Sequence, residues 1–392
     1  MNVILMKWNG LGHEDITEAF EYLGHNVYEH SFNDKELHND DEIERSIHET
    51  VIENNADLVF SFNYFPIIAK ACHDNDIPYF SWVYDSPAVL LYHFSLAYPT
   101  NHIFLFDHKE YAFFKSNGID TVHYLPLAAN PRRLNKLFAN TSCKDAFNNS
   151  KALNQTDIAF VGSLYTEKHL FYERMTDICP YTRGYLEGIM AAQKKIYGDN
   201  FISDLLTDKI MDDMSINLPM KPDPEGVETR SYLFGEYVVN RKLTQIERLE
   251  FLNAIGKKYK FDLYTPDSSV VIPGATNHGP VDYLEMAPFV FKKAKINLNI
   301  SLRSIHTGVP LRCFEIIASH GLLLSNYQSG FEDVFKDGFE YVPFENKDDL
   351  ISKIKYLLEH DDERMAIAQN GYNRLVKEHT YDARINEMFS YL

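Results

Sequence analysis

Short apolar runs alternate with helix-period stretches through the first 126 residues, and this alternation limits the possible folds more than any other feature of the chain. Strand-like runs fall at 3–6, 27–28, 58–62, 79–83, 103–106 and 122–125, with helical patterns at 14–23, 40–53, 65–73 and 109–116. Strands separated so regularly by helices predict a parallel, doubly wound sheet, because parallel neighbours need a crossover connection.

Between 131 and 155 the sequence turns polar and Asn/Ser-rich with no clear apolar period, which predicts a linker. A second domain is expected over 156–380. It opens with a strand at 158–161 that runs into Gly162-Ser163, and a stretch without strand signals, about 165–253, predicts a helical insertion. Alternation resumes at 261–264 and leads to 294–326, read as strand, loop, helix, strand. There Ile296, Leu298 and Ile300 alternate, Pro310 suits a first helical position, and Gly321 suits the stop. The expected fold class is α/β, two Rossmann-like domains (1–130 and 156–380) with a cleft between them. The last stretch, 381–392, is amphipathic.

A chain of 392 residues can hold two cores, and 45% hydrophobic and 14% aromatic residues place it among globular proteins. The formal net charge of −18 disfavours nucleic acid or an anionic membrane as a general partner, so any phosphate site must be built locally. Cys72, Cys143, Cys179 and Cys313 are widely spaced without a C-x-x-C pair, which argues against a disulfide framework and against zinc. No run reaches the roughly 18 apolar residues of a membrane span. The N-terminal apolar run is only a strand long and lacks a cleavage pattern, so a cytoplasmic location is expected.

Sheets of this kind bind ligands at the carboxyl ends of their strands. Gly10-Leu11-Gly12 follows the first strand and lets backbone approach a substrate, or forms a plain tight turn; without a third glycine it is a weak dinucleotide signal. Gly162 and Ser163 are placed likewise in the second half and can lay amides against a diphosphate. At 310 a helix start faces a strand end, where unpaired N–H groups and the helix dipole favour negative charge. Arg312 and Glu315 share one face of that helix, able to meet phosphate and ribose hydroxyls respectively, or forming a surface ion pair. Arg303 and His306, just upstream, add further candidate phosphate donors. Asp74-Asn75-Asp76, before Ile77-Pro78, reads as a polar turn, so no metal site is expected.

The run Val309-Pro310-Leu311-Arg312-Cys313-Phe314-Glu315, followed by Ala318-Ser319-His320-Gly321-Leu322-Leu323-Leu324, resembles the donor domain of GT-B glycosyltransferases. The nearest group is that of the spore-maturation glycosyltransferase CgeB. Lys295 to Ile300, His379-Thr380-Tyr381-Asp382-Ala383-Arg384 and, in the first half, Trp82-Val83-Tyr84-Asp85-Ser86-Pro87 extend the likeness. Glu315 stands where many such proteins carry Asp. The resemblance implies a nucleotide diphosphate sugar, a co-substrate and not a cofactor, held by the second domain. It implies an acceptor glycan, lipid-linked glycan or protein held by the first, and a last helix (381–392) that crosses back to the N-terminal domain. Transfer with inversion then needs a general base in the first half, transfer with retention needs none, and the sequence does not decide between the two. Asp85 is the preferred candidate, or else a helix cap, with Asp15 and His13 behind it. Gly10, Gly12 and Trp82 are the expected acceptor contacts. A sugar-nucleotide epimerase of the same fold and a non-catalytic assembly protein are the alternatives, and the oligomeric state is not legible.

Overall fold

The computed structural model describes residues 1–33, 40–149, 157–166 and 170–392. The end of the expected linker (150–155), the expected first residue of the second domain (156) and residues 167–169 of the expected insertion lie outside them. Strands β1 (Asn2–Lys7), β2 (Asn26–Ser31), β3 (Leu58–Phe62), β4 (Tyr79–Val83), β5 (Asn101–Leu105) and β6 (Val122–Tyr124) form one parallel sheet in the order β2-β1-β3-β4-β5-β6. A second parallel sheet is built from β7 (Ile158–Val161), β8 (Phe261–Tyr264), β9 (Ala275–Asn277), β10 (Ile296–Asn299), β11 (Leu323–Asn326) and β12 (Val342–Phe344). Its order is β12-β11-β10-β7-β8-β9. Helices flank both sheets, so the fold is α/β and doubly wound, as the alternation predicts. β3 and β4 are buried along their whole length, which explains their nearly unbroken apolar sequences.

The chain divides into two units. The first comprises residues 1–128, 222–229 and 379–392. In it, residues 222–229 run beside the turns after β4: Val227 N–H donates to Tyr92 O (2.9 Å) and Phe94 N–H to Glu225 O (3.2 Å). Helix Tyr381–Phe389 is capped by the Thr380 hydroxyl and buries Tyr381, Ile385 and Met388. Phe389 meets His25, Phe80 and Phe20, and Tyr391 lies 4.0 Å from the His123 ring. The buried Arg384 donates to Pro126 O (2.8 Å) and to His379 Nδ1 (2.8 Å), fixing the start of this helix.

The second unit comprises 129–221 and 230–378. The polar stretch read as a linker is helical where it is described, at Pro131–Ala139 and Thr141–Asn149. Asn130 caps the first of these helices and Pro131 starts it. Phe138 and Phe147, one from each, pack on Phe289 at 5.3 and 5.1 Å. One or two apolar anchors per helix are too few to show as a period.

Helix Leu311–Ala318 buries Cys313, Phe314, Ile316, Ile317 and Ala318. His320 (φ +61°) takes the left-handed position at its end. Gly321 is required for a different reason: a β carbon there would stand 2.6 Å from Asn297 Nδ2 and 2.7 Å from Phe291 O.

Arg303 departs from its expected role. It is 8% exposed, and its Nε and Nη2 donate to Glu247 at 2.6 and 2.5 Å. Nη1 donates to Ile196 O (2.9 Å), and the guanidinium lies 4.1 Å over the Tyr197 ring. It is an internal brace to the helical region, with each of its nitrogens already donating a hydrogen bond. No helix among the described residues is long and apolar enough to cross a membrane.

Two stability predictions follow from these contacts. Arg303→Met strands the buried Glu247 carboxylate and should cost about 3–5 kcal/mol in a denaturant titration; a loss below about 1 kcal/mol would contradict the brace. Burial, followed by neighbouring His102, pushes the His123 imidazole down to about 4. The unfolded chain then takes up a proton near the ordinary value of 6.5 that the folded chain refuses. Stability present above that pH is therefore lost as pH falls toward 4. His123→Phe should flatten the acid-side fall in Tm, and an unchanged slope would remove His123 from the account.

Candidate functional site

In the second sheet the chain builds outward from β7 through β8 to β9, then returns to place β10 on the other side of β7. The segments leaving β7 and β10 therefore diverge and open a crevice at their carboxyl ends, the usual ligand position in such sheets. Gly162 follows β7 with φ +155°, and its N–H donates to Tyr264 O (2.9 Å). A β carbon on Gly162 would stand 3.1 Å from Arg312 Nη1 and 3.3 Å from its Cζ, so the bare glycine is what admits the guanidinium. Arg312 comes from the first turn of helix Leu311–Ala318, which has no side-chain cap. Its Nε is buried without a hydrogen-bond partner among the described residues.

One turn further along, Glu315 accepts a hydrogen bond from the Tyr283 hydroxyl. Burial, then the Glu315 carboxylate, holds the Tyr283 pKa well above its ordinary value, so the phenol stays a donor. Ser163 is at the same turn, its hydroxyl accepting from Tyr165 N–H (2.9 Å).

The walls of this crevice are tied by a residue that sequence reasoning did not single out. Arg248, 4% exposed in helix Asn240–Gly256, donates through Nη1 to Ser163 O (2.5 Å) after β7. Through Nε and Nη2 it donates to Ile300 O after β10, at 3.0 and 2.5 Å. Of the six donor-site candidates, the structure gathers Gly162, Ser163, Arg312 and Glu315 here. Arg303 is spent on Glu247, and His306 pairs with Glu236 (3.4 Å) from the π-helical turn Leu233–Val239.

The first sheet repeats the reversal, with β2 on one side of β1 and β3 on the other. Gly12 (φ +89°) ends the glycine turn and starts helix His13–Tyr22. A β carbon on Gly10 would strike the Trp8 indole at 2.6 Å. Trp8 Nε1 donates to Phe62 O (3.0 Å) and Leu11 N–H to the Tyr84 hydroxyl (3.1 Å), so the turn is fastened to the ends of β3 and β4.

Asp85 lies just past β4 and keeps exposed surface. Its carboxylate accepts from Asn63 Nδ2 (2.7 Å). The surrounding protein raises its pKa above the usual carboxylate value, opposed by that hydrogen bond. His13 is 4% exposed, edge-on to Trp8 and Phe62. Burial, then Lys7, lowers its pKa, so it stays neutral. Asp15 is 7% exposed on the buried side of its helix.

Trp82 corrects the expected acceptor contact. It is 1% exposed between Phe62 (5.9 Å) and Tyr381 (5.4 Å), and it is core. The half-buried rings at the turn are Trp8 and Tyr84, 6.3 Å apart and nearly parallel. Asn63, like Arg248 and Tyr283, was not anticipated. An asparagine directly after a strand, a place suited to positive φ, was its one visible signal.

Residues 241–390 match the family described as Glycosyl transferase-like (Glyco_trans_1_2). A comparison with curated proteins gives no match. Solved structures match over the whole chain. A glycosyltransferase from Rickettsia africae is 12% identical with TM-score 0.51 over 97% of its length. The sucrose-phosphate synthase of Thermosynechococcus elongatus is 11% identical with TM-score 0.51 over 98% of its length. Anabaena HepE, solved in complex with UDP and glucose, is 11% identical with TM-score 0.52 over all of its length. The fold is thus GT-B, and residues 241–390 within it are similar to the glycosyl transferase-like family.

Proposed function

We propose that this chain is a cytoplasmic, metal-independent glycosyltransferase that moves a sugar from a nucleotide diphosphate sugar to a hydroxyl of a glycan, lipid-linked glycan or protein acceptor. The observation that carries the reading is the Arg312 guanidinium set against the bare backbone of Gly162 at the reversal point of the second sheet. The family match over residues 241–390 includes Arg312 and Glu315, and HepE, of the same fold, was solved with UDP and glucose. The His379 to Arg384 run and the Trp82 to Pro87 run support kinship with the CgeB-like group.

In the reaction the bond from the sugar's anomeric carbon to the diphosphate oxygen breaks, and a bond from that carbon to the acceptor oxygen forms. Negative charge grows on the leaving diphosphate and is met by Arg312, by N–H groups at the helix start and by the Gly162 turn. Glu315, oriented by Tyr283, accepts from the ribose hydroxyls. The acceptor lies in the first unit over the Gly10 to Gly12 turn, beside Trp8 and Tyr84. Asp85 takes the acceptor's proton, and attack from the face opposite the leaving group inverts the configuration. Its raised pKa brings it nearer the operating pH, where a general base is most effective.

A thermal-shift screen over nucleotide sugars with EDTA present, starting with UDP-glucose, should find a ligand that raises the Tm. At 100 times its dissociation constant such a ligand adds about 2.7 kcal/mol. Gly162→Ala and Glu315→Gln should each weaken that shift, and a folded protein that responds to no nucleotide sugar would overturn the reading. Asp85→Asn should lower turnover about 10²–10⁴-fold while nucleotide affinity stays the same; near-wild-type turnover would remove Asp85 as the base.

A further inference from the structure

Asn63 occupies the position after β3 in the left-handed region (φ +57°), which asparagine tolerates better than most side chains. Each polar atom of its side chain is used. Its Oδ1 accepts from the N–H groups of Tyr84 (3.1 Å) and Asp85 (3.2 Å), and its Nδ2 donates to Asp85 Oδ2 (2.7 Å). The backbone of Asn63 is held as firmly, with N–H donating to Trp82 O (3.0 Å) and O accepting from the Ser61 hydroxyl (2.7 Å). The pairing of Phe62 with Trp82 sets the two strand ends side by side, so the residue after β3 reaches the loop after β4. One amide thus fixes both the backbone that carries Asp85 and the carboxylate itself.

We infer that Asn63 is the positioning residue of the transfer reaction, orienting the Asp85 carboxylate and keeping it ionised for proton abstraction. This rests on the reading of Asp85 as the base. The side-chain amide leaves one carboxylate oxygen, Oδ1, for the acceptor while Oδ2 is occupied. The titratable group facing Asp85 is Tyr84, whose hydroxyl is in turn held by Leu11 N–H from the glycine turn. The contact just after β3 is the uncharged Asn63, and among the described residues its amide is the neighbour that favours the charged carboxylate.

The test uses the full chain and two variants. Asn63→Asp keeps an oxygen acceptor for the two loop amides and tolerates the left-handed backbone, but it replaces the Nδ2 donor with a second carboxylate. Asn63→Gly keeps the backbone conformation and removes the side chain. Asp85 is followed by NMR of ¹³C-carboxyl-labelled aspartate, its signal assigned by loss in Asp85→Asn, and nucleotide release from UDP-glucose is measured against pH. Asn63→Asp should raise the Asp85 midpoint by about one to two units, because two carboxylates in one site resist double ionisation. The acid limb of the rate profile should move with it, and Asn63→Gly should shift both less far. An unmoved Asp85 midpoint in folded Asn63→Asp overturns the inference and leaves the base assignment standing. A moved midpoint with a stationary rate limb, or an active Asp85→Asn, overturns the base assignment and with it any reactive role for Asn63.

Discussion

Parallel strands cannot be joined by hairpins, and a chain that adds crossovers on both sides of its first strand must somewhere reverse its direction of growth. At that point two neighbouring strands send their following segments to opposite faces, and the sheet edge is left uncovered. Here it happens twice, between β1 and β3 and between β7 and β10. Each candidate residue that the structure gathers stands on a segment leaving one of these strands or the strand beside it. The chemistry of the site is thus located by a constraint on connection before any side chain is considered.

An opening of this kind exposes strand-end carbonyls and loop amides that the ladders no longer pair, and buried polar groups without partners are costly. Both units solve the problem with a single side chain acting as a cross-tie. Arg248 bonds the carbonyls after β7 and β10 with one planar guanidinium, whose rigid fork suits two acceptors at a set spacing. Asn63 does the corresponding work with an amide, taking two loop N–H groups on one end. The Arg248 tie is buried, so its hydrogen bonds are strengthened by the low local dielectric. The crevice is therefore held to a shape, and the glycines within it leave that shape unfilled.

The parts legible in the sequence were those with local signatures. Apolar periods located most strands of both sheets but not the short edge strand β9, and a glycine after a strand together with an arginine on a helix start pointed to the pair that the structure brings into contact. What sequence could not show were partners distant along the chain. Arg303 looked like a loop cation because Glu247 lies 56 residues away, in a helix whose pattern says nothing of pairing. Trp82 looked available because strand ends often face solvent; its cover is Tyr381, from the far end of the chain. The linker helices were hidden for the opposite reason, since a few aromatic anchors suffice when a neighbouring phenylalanine completes their packing.

The first unit is assembled from three separated lengths of chain, and its last length, 379–392, holds Tyr381, Ile385 and Met388 in its core. During synthesis the earliest strands leave the ribosome long before the segment that covers them exists. The second unit needs none of those last residues. Translation therefore delivers the complete set of parts for the later unit first, while the N-terminal sheet waits with part of its apolar surface bare until residues 379–392 follow. For this protein the N-terminal unit can close only once residues 379–392 have been made.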